Sequence, residues 1–155
     1  LRNFFNANIN DSLIESKQTY GQDETNLRTL ALRDGETLTG SRQLQGQSPY
    51  LINASLDFNN QNGTRAGLYF NMQGKTLEVV GAGYNPDIYT HPFESLNFTF
   101  SKSFGQESKK SINLKVENIL GSKRESYAES FRSIDQIYTF RDPGLKFSFG
   151  YSINL

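Results

Sequence analysis

The chain has 155 residues, with 16 Lys and Arg against 16 Asp and Glu, a single histidine and neither cysteine nor tryptophan. Zero net charge without a basic stripe excludes a general nucleic-acid partner, because affinity for phosphate backbone comes from clustered cations. One histidine and no thiol exclude Cys/His zinc sites, iron–sulfur clusters, thiol nucleophiles and disulfides; only an all-oxygen metal site stays open, and no cofactor is expected.

Hydrophobic residues make up 35% and aromatics 13% of the chain, which points to strands that are apolar on one side only. No apolar run reaches the roughly 20 residues of a membrane-spanning helix. The opening Leu1-Arg2-Asn3-Phe4-Phe5 is not a signal peptide, and the only Met is Met72; the sequence is expected to begin inside a longer product.

Along the chain, residues 1–9 carry a weak alternation (Phe5, Ala7, Ile9), and residues 10–48 form a long polar stretch. A regular strand follows: Tyr50, Ile52, Ala54, Leu56 and Phe58 alternate with Leu51, Asn53, Ser55 and Asp57. This period of two puts one set on each face of a sheet. The turn formers Asn59-Asn60-Gln61-Asn62-Gly63 lead into Ala66, Leu68, Phe70 and Met72, a strand that continues less regularly towards Val80. Residues 74–93 read as a second long loop, before Leu96, Phe98 and Phe100. The short turn 105–109 precedes Ile112, Leu114 and Val116; the third long loop, 121–143, precedes Leu145, Phe147, Phe149, Tyr151, Ile153 and Leu155.

The count is about six strands of roughly 9–11 residues, joined by short turns at one end and long loops at the other. That arrangement is expected of an antiparallel transmembrane β-barrel, with short turns on the periplasmic side and long loops outside the cell. If the last strand ends at the periplasm, both short turns fall on that side. A soluble antiparallel sandwich also alternates, but its strands are typically nearer 5–6 residues. Six strands are too few to close a barrel, whose minimum is about eight. More polypeptide is therefore expected to complete it.

The stretch Arg42-Gln43-Leu44-Gln45-Gly46-Gln47-Ser48-Pro49-Tyr50 resembles a segment near the C-terminus of TonB-dependent outer-membrane receptors, particularly those of Bacteroidetes. Leu68-Tyr69-Phe70-Asn71-Met72-Gln73-Gly74-Lys75, then Pro86-Asp87-Ile88-Tyr89, Leu96-Asn97-Phe98 and Leu114-Lys115-Val116-Glu117-Asn118-Ile119-Leu120-Gly121 follow in the family's order. Phe147 to Leu155 is similar to its closing strand, although the family usually ends in an aromatic rather than Leu155. The resemblance covers 42–155; residues 1–41 are unmatched.

The resemblance implies a barrel of about 22 strands with a plugged lumen, of which residues 1–155 supply the last six or so, with 10–48 an extracellular loop and the plug outside this sequence. It implies nutrient uptake (iron chelate, cobalamin, glycan or peptide) across the bacterial outer membrane. Its implied partners are outer-membrane lipid, the rest of the barrel and plug, TonB, and a surface lipoprotein. Two alternatives stand beside it: a receptor-like barrel that serves as a non-transporting scaffold, and a soluble all-β ligand-binding module.

Expected lipid-facing residues are Tyr50, Ile52, Leu56, Phe58, Leu96, Phe98, Phe100, Leu145, Phe147, Phe149, Tyr151, Ile153 and Leu155, with Tyr50 and Tyr151 in the interfacial aromatic girdle. Expected lumen-facing residues include Asn53, Asp57, Thr99, Asn113, Lys115, Glu117, Lys146 and Ser148. In the loop 81–92, Tyr84, Asn85, Asp87, Tyr89 and His91 are candidate ligand contacts, because rings and amides suit sugars, peptides and chelates. The competing reading of these residues is a rigid turn set by Pro86 and Pro92. No catalysis is expected: His91 lacks a nucleophile elbow, and no G-x-S-x-G occurs.

Overall fold

The computed structural model describes residues 3–13, 17–32, 34–35, 37–38, 40–81, 85–105, 109–130 and 133–153, with 3–13 described by backbone alone. The chain is mostly β, all antiparallel, with one short helix. Long strands β1 (Asn3–Leu13), β4 (Tyr50–Asn60), β5 (Thr64–Gln73), β8 (Phe93–Phe104), β9 (Lys110–Glu117) and β12 (Lys146–Ile153) make a six-stranded sheet in the order β1-β4-β5-β8-β9-β12. Short strands β6 (Thr76–Val79), β7 (Asp87–Thr90), β10 (Arg124–Glu129) and β11 (Gln136–Arg141) make a four-stranded sheet in the order β11-β10-β7-β6. The remaining pair is a ribbon of β2 (Lys17–Thr19) and β3 (Ser41–Gln43), with the helix α1 (Gln22–Leu30) between them in sequence.

The two larger sheets are one set of strands bent at one level. β5 runs on into β6, β7 into β8, β9 into β10 and β11 into β12, so the short sheet repeats the order of the long one above the bends. Local chemistry places each bend. At Gly74 the backbone passes beneath Tyr50, whose ring would lie 2.7 Å from a Cβ there, and Ser48 and Thr76 hydroxyls donate to the Gly74 carbonyl at 3.1 Å. Pro92 interrupts the ladder between β7 and β8 because it brings no N–H. Asn118, with φ 55, turns the chain after β9, and its Nδ2 donates to the carbonyls of Ser122 and Gly144 at 3.1 Å each. One buried amide thus joins the β9–β10 bend to the β11–β12 bend.

Register sorts the side chains of the long sheet by kind. Leu56 stands opposite Ala7 and Leu68, Leu68 opposite Phe98, Phe98 opposite Val116, and Val116 opposite Phe147. The next row on this face runs Phe58, Ala66, Phe100, Leu114, Phe149. The row between them, on the other face, runs Asp57, Gly67, Thr99, Lys115, Ser148. Because side chains alternate, a slip of one residue would mix the two sets, so the pattern itself fixes the pairing. The apolar face stays open: Phe147 is 69% and Phe149 72% exposed, and Leu77 is the only buried hydrophobic residue among those described.

The expectation of six long strands agrees with this sheet, and the weak candidate at 1–9 extends to Leu13. The stretches expected to be loops differ. Residues 74–93 and 121–143 hold β6, β7, β10 and β11, while 10–48 holds the end of β1, the β2–β3 ribbon and α1. These strands are only 4–6 residues long, and Leu77 and Val79 in β6 or Ile137 and Phe140 in β11 recur over too few positions to set a period. The helix has nine residues and only Leu27 and Leu30 as large apolar groups; acids in its first turn and the Glu24–Arg28 pair support it locally.

Candidate functional site

Among the described residues, two concave regions gather the charged and polar side chains considered above. The larger, of about 670 Å³, is a trough along the long sheet, lined among others by Asp57, Arg65, Tyr69, Thr99 and Lys115. Tyr69 Oη donates to Asp57 Oδ1 at 2.7 Å, and Lys115 Nζ pairs with Glu117 at 2.9 Å. Expected lumen-facing residues Asp57, Thr99, Asn113, Lys115 and Ser148 all line this trough.

The smaller region, of about 350 Å³, lies between the segment 17–43 and the short sheet. Antiparallel register sets Tyr89 of β7 between Leu77 of β6 and Tyr127 of β10, and Asp87 opposite Glu129. Asp87 and Tyr89 therefore share a face of β7, with Tyr20, Arg42 and Gln43 beside it. Asp87 is 3% exposed, and its Oδ1 accepts from Arg42 Nη1 at 2.7 Å and from the Gly81 amide at 2.8 Å. Lys75 Nζ sits 4.5 Å from the centre of the Tyr89 ring and pairs with Glu129. His91 stacks on Tyr127 with ring centres 4.3 Å apart, its Nε2 3.5 Å from Glu129 Oε1. Tyr20 lies under Arg28 and Arg42, with the cations 4.3 and 5.4 Å from its ring centre.

Electrostatically the pocket is a set of matched pairs: Arg42 with Asp87 and Lys75 with Glu129. The Tyr89 hydroxyl is pushed up to about 12, first by burial and then by the negative charges of Asp87 and Glu129 and by Tyr20, with Arg42 opposing. It stays a neutral phenol through the physiological range. The pairing is incomplete, however. Arg42 Nε, Gln43 Oε1, Asp87 Oδ2 and Glu129 Oε1 are buried with no hydrogen-bond partner. Buried polar groups normally find partners, and here the exceptions gather in one place.

Of the candidate ligand contacts, the structure brings Asp87, Tyr89 and His91 into one cluster. Of these only Tyr89 lines the pocket; Asp87 and His91 stand behind it on Arg42 and Glu129, Asn85 is exposed and outside the lining, and Tyr84 falls outside the described residues. Arg42, Lys75, Glu129 and Tyr20 were not recognisable as site residues, since each comes from a different part of the chain. The Pro86-Asp87 turn and the Arg42 segment are each distinctive in the sequence, but nothing there signals that they pair.

Of the expected lipid-facing set, the register puts Ile52, Leu56, Phe58, Leu96, Phe98, Phe100, Phe147, Phe149, Tyr151 and Ile153 on the single apolar face, with Tyr50 in phase with them. Leu145 lies just before β12 and is half exposed. Leu155 falls outside the described residues. Among those described, no group of three or more His, Asp or Glu could hold a metal ion, and no helix is long and apolar enough to cross a membrane, which says nothing of crossing by strands. Comparison with family models, curated proteins and solved structures gives no match.

Proposed function

We propose that the chain is the C-terminal part of an outer-membrane β-barrel of the TonB-dependent receptor type, which admits a nutrient through a plugged, polar lumen. The observation that carries this reading is the long sheet with one face apolar through its central rows and left exposed, with Glu94, Lys102 and Lys110 only in its outer rows. Strands β4, β5, β8, β9 and β12 place their apolar side chains in common rows, yet Phe149 remains 72% exposed and Leu56 45%. In water such a surface is a liability. Against hydrocarbon it is what a barrel requires, and the ladder satisfies the backbone polar groups that lipid cannot.

Three further features support it. The long sheet keeps its strands in chain order, the up-and-down arrangement of membrane barrels, whereas Greek-key sandwiches cross over. Strands β4, β5 and β8 have 11, 10 and 12 residues, near the roughly 9–11 of a tilted membrane strand. The polar trough on the opposite face suits a water-filled or plugged interior. In this reading the long sheet spans the membrane, the turns at Gly63 and Gly105 face the periplasm, and the short sheet stands above the outer surface. Further strands complete the ring beyond β1 and β12.

The test is extraction of the native polypeptide that contains this sequence. It is expected to need detergent, to migrate as a compact species in dodecyl sulfate until heated, and to carry a plug among its peptides. Release into buffer without detergent would overturn the barrel and favour a soluble binding module. A barrel without a plug would favour the scaffold.

A further inference from the structure

We propose that the turn end of the long sheet's apolar face holds an anionic glycerophospholipid, its phosphate between Lys102 and Lys110 and its acyl chains along the rows of Leu and Phe. The inference deepens the barrel reading and rests on it for placing this end of the sheet in the periplasmic leaflet.

Across β4, β5, β8, β9 and β12, charge on that face is confined to the two ends and sorted by sign. Glu94 stands at the bend end, opposite Met72, while Lys102 and Lys110 stand at the turn end. Lys102 faces Ile112 and Lys110 faces Phe104, so the two lysines are diagonal neighbours on adjacent strands. Such neighbours lie about 7–8 Å apart, within reach of one another for long side chains. Lys102 Nζ turns towards the end of the sheet, where it donates to the Asn62 carbonyl and the Thr64 hydroxyl at 2.8 Å each. Both acceptors are neutral, and one of the three ammonium N–H groups is left over. Among the described residues neither lysine is paired with a carboxylate. Two like charges side by side repel, and an anion between them turns that repulsion into attraction.

The surroundings select a lipid. Phe104 and Tyr151 lie at the same end, on the strands either side of β9, with ring centres 6.5 Å apart. Aromatic rings gather at headgroup level, and a lysine there lays its stem on apolar surface and keeps its head with water and phosphate. The row next inward holds Phe100, Leu114 and Phe149, a bed for acyl chains that a free phosphate does not use. Net charge selects the headgroup: a zwitterionic lipid brings its own ammonium, whereas an anionic one leaves its charge to the protein. A lysine near an anionic membrane surface strengthens association about fivefold.

The experiment is native mass spectrometry of the complete polypeptide in detergent, offered phosphatidylglycerol and phosphatidylcholine with the same acyl chains. Preferential retention of phosphatidylglycerol is expected, reduced about tenfold or more by Lys102→Gln with Lys110→Gln and kept by Lys102→Arg with Lys110→Arg. Lys123→Gln, above the bends and beside Asp142, should leave it unchanged. Glycerol phosphate, a headgroup without chains, should not compete. Heat-modifiable migration checks that each variant is folded; where the double glutamine variant is not, Lys110→Gln alone carries the test with a loss of about fivefold. Equal retention of the two lipids, an unchanged preference in the glutamine variants, an equal loss in the arginine variant or Lys123→Gln, or displacement by glycerol phosphate would overturn the proposal. Any of these in a polypeptide that still shows heat-modifiable migration leaves the barrel reading standing; release of the wild type into buffer without detergent would overturn the barrel and this site with it.

Discussion

Tyr69 reaches diagonally across to the neighbouring strand, its hydroxyl donating a 2.7 Å hydrogen bond to Asp57 while its ring lies over Gly67. Register pairs Asp57 with Gly67 and Ser55 with Tyr69, so the phenol can reach Asp57 only because position 67 has no side chain. A Cβ there would come within 2.7 Å of the ring carbons. Tyr69→Phe is expected to cost about 1 kcal/mol, the net worth of one such bond. Gly67→Val should cost more, since it expels the ring as well. Denaturant midpoints of the two variants in detergent micelles check the order; equal midpoints would refute the packing role of Gly67.

Buried Asp87 depends on Arg42 for its counter-charge. Arg42→Ala leaves a carboxylate that is 3% exposed with only the Gly81 amide, and breaking a buried pair from one side typically costs about 3–5 kcal/mol. The double variant Arg42→Met with Asp87→Leu removes both charges and is expected to be less destabilised than either single one. Limited proteolysis within 17–43 reads the effect directly: cleavage should rise sharply in Arg42→Ala and fall back in the double variant.

High pH should loosen the short sheet. Tyr89 is held at about 12 in the fold against 10.0 for a free phenol, so between these values the unfolded chain gives up the proton while the folded one keeps it. The contribution is complete below pH 10.0 and is lost as pH rises through about 12. Tyr127 shifts in the same direction, chiefly through its hydrogen bond to Glu125. A spectroscopic titration of phenolate should show late-ionising tyrosine in the wild type and less of it in Tyr89→Phe.

The two faces of the long sheet should answer charge differently. Phe98→Arg puts a cation in the middle of the apolar rows and is expected to cost about 2–4 kcal/mol in a bilayer. Ser101→Arg, on the trough side, should cost a small fraction of that. Unfolding from lipid vesicles measures both, and similar costs would count against lipid contact.

Asn118 combines a left-handed backbone with a side chain that ties two bends. Asn118→Gly keeps the conformation and loses the ties; Asn118→Ala loses both and should be less stable by a further 1–2 kcal/mol or so, the usual penalty of this conformation for a residue with a Cβ. Thermal midpoints of the two variants test the order.

What could be read in advance follows from period and reach. Phe147, Phe149 and Tyr151 announce β12 because each second residue repeats one demand, and the same holds for β4, β5 and β8. In β1, Asn10, Asp11 and Ser12 break the alternation, and it is pairing with Tyr50 to Asn53 that carries the strand to Leu13. The short sheet has no such repeat: Glu78, Thr90, Ser126 and Thr139 hold one another by hydroxyl and carboxylate bonds, which leave no trace in hydropathy. For the pocket, Asp87, Tyr89 and His91 could be picked out by residue type within one short segment. Arg42 and Glu129 could not, since only folding brings them to that segment.

The bends at Gly74, Pro92, Asn118 and Gly144 give one chain two separate codes. In the proposed barrel, substitutions below them are judged by partition into hydrocarbon, and those above by solubility and fit to a ligand. The upper hairpins can therefore diversify while the lower rows of Leu and Phe stay as they are. A single frame could in this way be supplied with new specificities without being refolded, as a socket accepts different fittings.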